Sequence, residues 1–431
     1  MRYRSALEAA PSTPARRRSD TSTLTARSTV FAAWTVAVAT FATSLITVVE
    51  DPQGYDTVPL TNAAHAFVSG TAVYTGKGAG DFLYPPSALV LLSPLAAVDH
   101  IWANRLFLLV DTAVVLAATA LLLRLFDFRW RGMAGAIALL GISIAWPVVF
   151  TLDAGNVNGP ILLGLAGFLL GVCRGRWLLA AASLGATFVL KPILAPLLLL
   201  LVLYRKWGAL ALAVAIPTAL SGLVLAAAPS TRSFFDITLP LLFQGQNADI
   251  QQASVALHSA AERLSVPSPA VALAEVAVGI ATLFLIWRRW SADRAEPRRL
   301  VELTTIALVG AFLLSSFTFR HYGIFLLPFA VSVAVPSSPH RHWLTAAALF
   351  GVAAQRGWTI EQLPDRLNEL LAERFTFALV LLLIALGLGI RRETAPHDLP
   401  APRAALEGGS NPDYARLSSH DADAEPGEEI S

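Results

Sequence analysis

The sequence predicts an all-α, polytopic membrane protein, and its composition, its charge content and its recurring apolar runs all indicate that fold class. Of the 431 residues, 55% are hydrophobic and only 14% are charged, whereas soluble domains carry about 25% charged residues. The apolar residues form many separate runs along the chain instead of a single anchor. The composition therefore excludes a soluble enzyme, a disordered protein and a nucleic-acid-binding domain, and it predicts a lipid bilayer as the surroundings.

The net charge and the cysteine count exclude further kinds of site. A net charge of +2 gives no indication of an anionic partner such as nucleic acid. Cys173 is the only cysteine in the sequence. An internal disulfide and a cysteine-based zinc site are therefore excluded.

The apolar runs predict about twelve membrane spans, several of them short for a hydrocarbon core about 30 Å thick. The first run, 30–49, follows a long polar leader and exceeds the ~7–15 apolar residues of a signal peptide, so an uncleaved helix is favoured over a cleaved leader. Pro192 separates the runs 177–190 and 193–204, which form either two short helices or one kinked segment. The other runs are 106–123, 132–151, 159–173, 208–228, 270–287, 300–318, 322–336, 343–358 and 374–390.

The basic residues orient these spans through the positive-inside rule. With the N terminus in the cytoplasm, the main basic clusters, such as 124–131 and 288–299, fall on the cytoplasmic side. The opposite side then receives two long loops, 51–104 and 229–269. Loops of this kind commonly carry function, so the sequence predicts a site on the extracytoplasmic face.

The predicted organisation is one transmembrane domain between two tails. The domain covers residues 30–390 and includes both long loops. Residues 1–29 and 391–431 are polar and contain prolines, so we expect disordered cytoplasmic tails there.

The first outer loop carries three carboxylates close together, Glu50, Asp51 and Asp56. A carboxylate at this position can act as a general base that accepts the proton of an attacking hydroxyl. Partly apolar surroundings can tune its pKa for that work. The alternative is that these acids only flank a helix end and are solvated at the interface.

The cationic candidates on the same side of the membrane are Lys191, Arg320 and His321. Lys191 precedes Pro192 between two apolar runs, where a cation next to hydrocarbon is costly and therefore a functional candidate. A lipid-linked phosphate is a natural partner for such cations. The alternatives are a lysine whose ammonium extends to the interface and an interfacial anchor at residues 320–321.

Three polar residues are candidates for contacts with a sugar. Tyr84 precedes two prolines that hold the chain out of a helix, and its ring can stack on a sugar or lie in the interfacial aromatic belt. Asn156 and Asn158 lie at a predicted helix boundary. Their amides can bind an acceptor sugar or cap the helix, and the sequence favours neither.

Several catalytic and transport signatures are absent from the sequence. It contains no nucleotide-binding P-loop, no HExxH metalloprotease helix and no GxSxG serine motif. Asp111 and Glu275 fall inside predicted spans, and they are the residues on which a transport path would depend. A lipid or polysaccharide transporter is therefore the alternative from another class.

Five blocks of sequence, in this order, resemble the polytopic glycosyltransferases of the GT-C fold that use polyprenyl-phosphate sugars. The similarity covers about residues 45 to 390 and is strongest to the branching α(1→3) arabinofuranosyltransferases of mycobacterial cell-wall arabinan. The blocks are YDTVPLTNAAHAFVSGTAVY (55–74), FLYPPSALVLLSPLAAV (82–98), NVNGPILLG (156–164), LKPILAPLLLLLVLYRKW (190–207) and FRHYGIFLLPF (319–329).

The resemblance implies an enzyme of the plasma membrane with its active site on the outer face. The implied donor is decaprenyl-phosphoryl arabinose, and the implied acceptor is the arabinan of arabinogalactan or lipoarabinomannan. The family's essential first-loop acid corresponds to Asp56, three residues before Pro59, with Asp51 as the fallback. Tyr55 stands where the family has a second acid, and the turn at 320–321 also departs from the family pattern.

On this basis Asp56 is the expected base, and Lys191 with Arg320 or His321 is expected to bind the donor phosphate. A divalent cation is compatible with this chemistry, but one loop carboxylate defines no metal site. Two alternatives stay open at this point. One is a mannosyltransferase that uses polyprenyl-phosphate mannose, and the other is a transporter or flippase for a lipid-linked sugar.

Overall fold

The structure, a computed structural model, describes residues 20–50, 54–76, 81–244, 253–292, 297–354 and 362–394. The described residues form helices and turns, and their β pairing is limited to a bridge between Ser254 and Phe319. The helices up to residue 227 are α1 (Asp20–Glu50), α2 (Thr57–Val68), α3 (Ala88–Leu92), α4 (His100–Leu125), α5 (Met133–Ile144), α6 (Trp146–Ala154), α7 (Asn158–Cys173), α8 (Trp177–Leu190), α9 (Leu198–Leu203) and α10 (Trp207–Ala227).

The helices after residue 227 complete the all-α fold that the composition predicts. They are α11 (Leu239–Gln244), α12 (Leu257–Arg263), α13 (Ser268–Trp290), α14 (Arg298–Leu314), α15 (Leu327–Ala334), α16 (Trp343–Ala353), α17 (Asp365–Ala372) and α18 (Arg374–Thr394). Tighter or wider helical turns lie at Ser93–Ala97, Pro192–Leu197, Pro229–Arg232, Phe234–Thr238 and Arg320–Leu326.

Four of these helices are long and apolar enough to cross a membrane. They are the segments Arg27–Glu50, His100–Leu125, Trp207–Ala227 and Ser268–Trp290. Two bent helix pairs raise the number to six if each pair is one span. Many of the other predicted runs correspond to apolar helices of 10–17 residues, so the count of about twelve spans stays a prediction.

The predicted run 132–151 is not one straight helix but the pair α5 and α6, bent by 61°. The cause is Pro147, which has no N–H for the carbonyl of Ser143 and whose ring would clash with it. The hydroxyl of Ser44 in α1 donates to that carbonyl instead, at 2.9 Å. The bend directs the end of α6 and the following turn towards the segment that carries Asp56.

The two runs on either side of Pro192 form separate helices, which answers the question that the sequence left open. Helix α8 ends at Leu190, and a 3₁₀ turn starts at Pro192. Lys191 between them has an extended backbone, with φ −160° and ψ 122°, the region that a residue before proline prefers. The break therefore places one cation between two apolar segments.

The tails fall largely outside the part of the chain that is described. Helix α1 begins at Asp20, inside the segment predicted as the first tail, and α18 continues to Thr394. Residues 1–19 and 395–431 lie outside the described residues.

A fully buried ionic cluster joins four segments of the chain. The predicted topology puts this cluster on the cytoplasmic side, opposite to Asp56. The guanidinium of Arg289 in α13 contacts the carboxylate of Glu302 in α14. Nε2 of His340 lies 3.0 Å from the other carboxylate oxygen of Glu302, and Gly389 of α18 packs against the His340 ring. Buried charges are tolerated only in such groups, because each isolated charge would lose its hydration without compensation.

Replacing Glu302 with glutamine should destabilise the bundle by about 3–5 kcal/mol, because the Arg289 guanidinium keeps its charge and loses its buried counter-ion. Thermal unfolding of the purified protein in detergent would measure the loss as a lower midpoint. Glu275→Gln is the matched control, since that side chain is 35% exposed and its His258 contact spans 3.9 Å. Equal midpoints for the two variants would contradict the structural role of the cluster.

Candidate active site

One cavity of about 550 Å³ brings together residues that are far apart in the sequence. Asp56, Tyr84, Lys191 and His321 all line it. They come from the predicted outer segments 51–104, 191–192 and 318–321. Four of the residues predicted from the sequence as site residues therefore line one cavity, together with apolar and aromatic side chains.

The segment before α2 is fixed to the end of α6 by two backbone hydrogen bonds. The Gly54 N–H donates to the Asp153 carbonyl at 3.1 Å, and the Asp56 N–H donates to the Ala154 carbonyl at 3.0 Å. Asp56 is the N-cap residue of α2, but its side chain forms no capping hydrogen bond. The carboxylate therefore lies on the cavity wall while its backbone is anchored.

Thr57 secures the same junction with its side chain. Its buried hydroxyl lies 3.1 Å from Oδ1 of Asn104 and 3.2 Å from the carbonyl of Gly155. Gly155 ends α6 in the left-handed conformation, with φ +62°, which is a common helix ending. A Cβ at Gly155 would overlap the side chains of Thr57 and Asn104. Glycine therefore permits the close approach that holds Asp56 in place.

Two opposing effects set the proton affinity of Asp56. The carboxylate is half-buried, and its accessible surface faces the cavity. Burial raises its pKa above the ordinary value, and the positive charge of Lys191 lowers it. The side-chain amide of Asn156 also lowers the pKa of Asp56, because its N–H groups favour a nearby negative charge. Its Nδ2 atom lies too far away for a hydrogen bond of ordinary length. A raised pKa makes Asp56 a stronger base than an exposed aspartate.

Lys191 is held between two tyrosine rings. Its Nζ lies 4.6 Å from the centre of the Tyr322 ring and 5.4 Å from the centre of the Tyr84 ring, distances at which a cation is attracted to an aromatic face. Both rings are almost fully buried. They therefore fix the ammonium at the cavity while its hydrogen-bond donors can reach an anion.

Arg320 and His321, the two candidates in the predicted cationic turn, have different surroundings in the structure. His321 lines the cavity, but burial and then the charge of Lys191 lower its pKa well below the ordinary value. It is therefore uncharged near neutral pH and can meet a phosphate only as a neutral hydrogen-bond donor. Arg320 is absent from the cavity lining, and its Nη2 donates to the Ala372 carbonyl at 2.9 Å.

The two asparagines are absent from the cavity lining. Oδ1 of Asn156 accepts a hydrogen bond of 2.9 Å from the N–H of Asn158, the first residue of α7. Both side chains are fully buried. Asn156 therefore accepts the first N–H of α7 from the position before the N-cap residue, Val157, and its amide also affects the pKa of Asp56. Tyr84 likewise contacts Lys191 and the Phe82 ring, so little of its ring remains for a sugar.

The sequence did not predict the aromatic residues at the cavity as site residues. Tyr55, Phe319 and Tyr322 line the cavity, and Phe150, behind the lining, stacks on both Tyr55 and His321. Tyr55 was noted only as a departure from the family's second acid. Aromatic residues in apolar segments resemble ordinary core or interfacial residues, so nothing local distinguishes the other three.

Metal ligands do not cluster in the described part of the chain. Among those residues, no group of three or more histidine, cysteine, aspartate or glutamate side chains could hold a metal ion. Asp81 is the other carboxylate on the cavity wall, and its Oδ1 accepts a hydrogen bond of 2.8 Å from Thr75. Asp51, the fallback for Asp56, lies outside the described residues.

The apolar helices and this cavity define a membrane protein whose site combines an acid, a fixed cation and aromatic rings. The sequence match identifies the family. Residues 82–316, more than half of the chain, match glycosyltransferase family 87, and the chain belongs to that family.

Curated relatives of the chain carry a single functional name. The chain is 30% identical over 289 residues to the α-(1→3)-arabinofuranosyltransferase of Mycobacterium tuberculosis H37Rv, and the match covers 65% of each chain. It is 28% identical over 324 residues to the enzyme of that name from Mycolicibacterium smegmatis, with 74% of each chain covered. The relative of that name from Corynebacterium glutamicum is 28% identical over 319 residues, covering 72% of this chain and 74% of its own.

The match covers 65% of the length of the M. tuberculosis relative, which is less than two thirds. No solved structure matches the chain.

Replacing Gly155 with alanine should destabilise the protein more than the same change at Gly175. Both residues have a left-handed backbone, with φ +62° and +66°, so alanine costs about 1–2 kcal/mol at either position. Only at Gly155 does the new methyl group overlap neighbours, which adds about 1–3 kcal/mol.

Thermal unfolding of the two variants in the same detergent tests this difference. We expect the lower midpoint for Gly155→Ala. A midpoint equal to that of Gly175→Ala would mean that the junction between Thr57, Asn104 and Gly155 is loose enough to accept a methyl group.

Proposed function

We propose that the chain is a membrane glycosyltransferase that moves an arabinofuranosyl group from decaprenyl-phosphoryl arabinose to cell-wall arabinan. The acceptor is the arabinan of arabinogalactan or lipoarabinomannan, and the product is an α(1→3) branch. The observation that carries the proposal is the single cavity in which Asp56 and Lys191 lie together. The names of the three relatives supply the sugar and the linkage.

Asp56 is the general base in this reaction. A hydroxyl of the acceptor attacks the anomeric carbon of the donor sugar, and its proton passes to the Asp56 carboxylate. A new glycosidic C–O bond forms as the bond between the anomeric carbon and the phosphate oxygen breaks. The raised pKa of Asp56 favours this proton transfer, and the hydrogen bonds of its backbone keep the carboxylate in position.

Lys191 stabilises the leaving group. The departing polyprenyl phosphate keeps the electron pair of the broken bond, so negative charge grows on its oxygen. An ammonium held by Tyr84 and Tyr322 stands ready for that charge without further reorganisation. The donor is already an activated phosphate ester, so the reaction needs no ATP, in agreement with the absence of a P-loop from the sequence.

We place the reaction at the outer face of the plasma membrane. The cavity residues come from segments that the positive-inside rule assigns to that side. In this arrangement the shorter apolar helices also cross the bilayer, which gives about twelve spans in a domain of residues 30–390. A polyprenyl donor partitions into the bilayer, and its sugar then meets the cavity at the membrane surface.

Purified full-length protein in detergent, given decaprenyl-phosphoryl arabinose and a short arabinan acceptor, should transfer arabinose. Asp56→Asn should lower the rate by about 10²–10⁴-fold, because the amide cannot accept the proton while the size of the side chain is kept. Product formation is followed by mass spectrometry, and the linkage is read from its fragmentation.

Parallel reactions with decaprenyl-phosphoryl mannose test the identity of the donor sugar independently of the role of Asp56. Glu369→Gln, an exposed side chain on α17, is the matched control for loss of a carboxylate. Mannose transfer in place of arabinose transfer would contradict the proposed donor. Arabinose transfer at the wild-type rate by Asp56→Asn would contradict the role of Asp56.

A further inference from the structure

Tyr55 presents a large exposed aromatic ring at the cavity, directly beside Asp56. Its residue is 61% exposed, whereas Tyr84 and Tyr322 on the same cavity are 9% and 3% exposed. Those two buried rings contact Lys191. Tyr55 therefore offers aromatic surface at the cavity that the mechanism described above does not use.

A stack of rings supports Tyr55 from behind. Its ring is nearly parallel to the Phe150 ring, with an angle of 18° and 6.5 Å between the centres. Phe150 in turn stacks on Trp146 at 4.7 Å and on His321 at 5.4 Å. The His321 ring also stacks on Phe319 at 5.4 Å. Because each ring has a packed neighbour, the stack forms a rigid, preorganised support.

Tyr55 lies next to the group that takes the proton of the acceptor. It precedes Asp56 in the chain, and both residues line the cavity. Lys191, with its two tyrosines, is the cavity group that a phosphate would bind. The exposed ring of Tyr55 is therefore available to the molecule that gives its proton to Asp56. A sugar has an apolar face of C–H groups that packs on an aromatic ring, and its hydroxyl groups remain free to react.

We propose that Tyr55, supported by Phe150, forms a subsite for the acceptor sugar, on which the terminal residue of the acceptor stacks. The stack orients the attacking hydroxyl towards the Asp56 carboxylate. This assignment rests on the proposed glycosyl transfer, and it names Tyr55 as the residue that binds the acceptor and not the donor.

Tyr55→Leu keeps an apolar side chain of moderate size and removes the aromatic face. It should raise KM for a short arabinan acceptor by about three- to tenfold and leave KM for the lipid-linked donor within twofold. Tyr55→Phe retains the ring and should restore most of the acceptor affinity. Phe235→Leu is the matched control, because Phe235 is 50% exposed and absent from the cavity lining.

A binding measurement makes the test independent of turnover. Saturation-transfer NMR of the arabinan acceptor with detergent-solubilised protein, without donor, should give a signal for wild type and Phe235→Leu. The signal should be much weaker for Tyr55→Leu and should recover in Tyr55→Phe. Thermal unfolding of each variant verifies that it is folded.

The possible results distinguish a failure of the acceptor-subsite proposal from a failure of the proposed glycosyl transfer. Acceptor KM and NMR signal unchanged in folded Tyr55→Leu would overturn the subsite and leave Tyr55 as an interfacial anchor, while arabinose transfer by wild type would still support the proposed function. An equal rise in KM for donor and acceptor would also overturn it. Absence of transfer by wild type, with acceptor binding that depends on Tyr55, would instead contradict the proposed reaction alone.

Discussion

The carboxylate of Asp56 and the ammonium of Lys191 attract each other across a largely apolar cavity, and the rest of the site is arranged around this pair. Burial alone would drive Asp56 towards its neutral form, and Lys191 opposes that effect. Lys191 in turn lies against two aromatic rings that favour a positive charge. The pair therefore keeps a carboxylate and an ammonium together in a largely apolar cavity.

Two breaks in the helices, at Pro147 and Pro192, position Asp56 and Lys191. Pro147 divides one apolar run into α5 and α6, and the turn at Gly155 then receives the backbone of Asp56. Pro192 interrupts a second run and leaves Lys191 extended between two helices. Each break leaves backbone carbonyls without helical partners, and serine hydroxyls donate to such carbonyls instead. Ser44 donates to the Ser143 carbonyl at the first break, and Ser87 donates to the Val189 carbonyl near the second, each at 2.9 Å. The cavity residues are therefore positioned by interruptions in otherwise regular apolar helices.

The sequence predicted the fold class, and it also singled out Asp56 and Lys191, which line one cavity, because each leaves a local mark. Lys191 stands out as a cation between apolar runs, and Pro147 marked a break inside the run 132–151 that the span prediction ignored. Asn156 admitted two interpretations, and the sequence could not show that its side chain accepts a hydrogen bond from the N–H of Asn158 at the start of α7. The neutral state of His321 and the stacking of Phe150 depend on contacts between distant segments. Such contacts are properties of the folded chain and have no signature in one sequence.

The pH dependence of transfer in a variant without the lysine tests the coupling of this pair most directly. In the proposed reaction Asp56 must be ionised to act as the base, so kcat/KM should fall as the pH falls through its pKa. Lys191→Met removes a charge that lowers this pKa, so the acidic limb of the profile should move to higher pH and KM for the donor should rise. Lys206→Met, a lysine that packs on Trp177, is the control and should keep the wild-type profile. An acidic limb at the same pH in Lys191→Met and wild type would contradict the account.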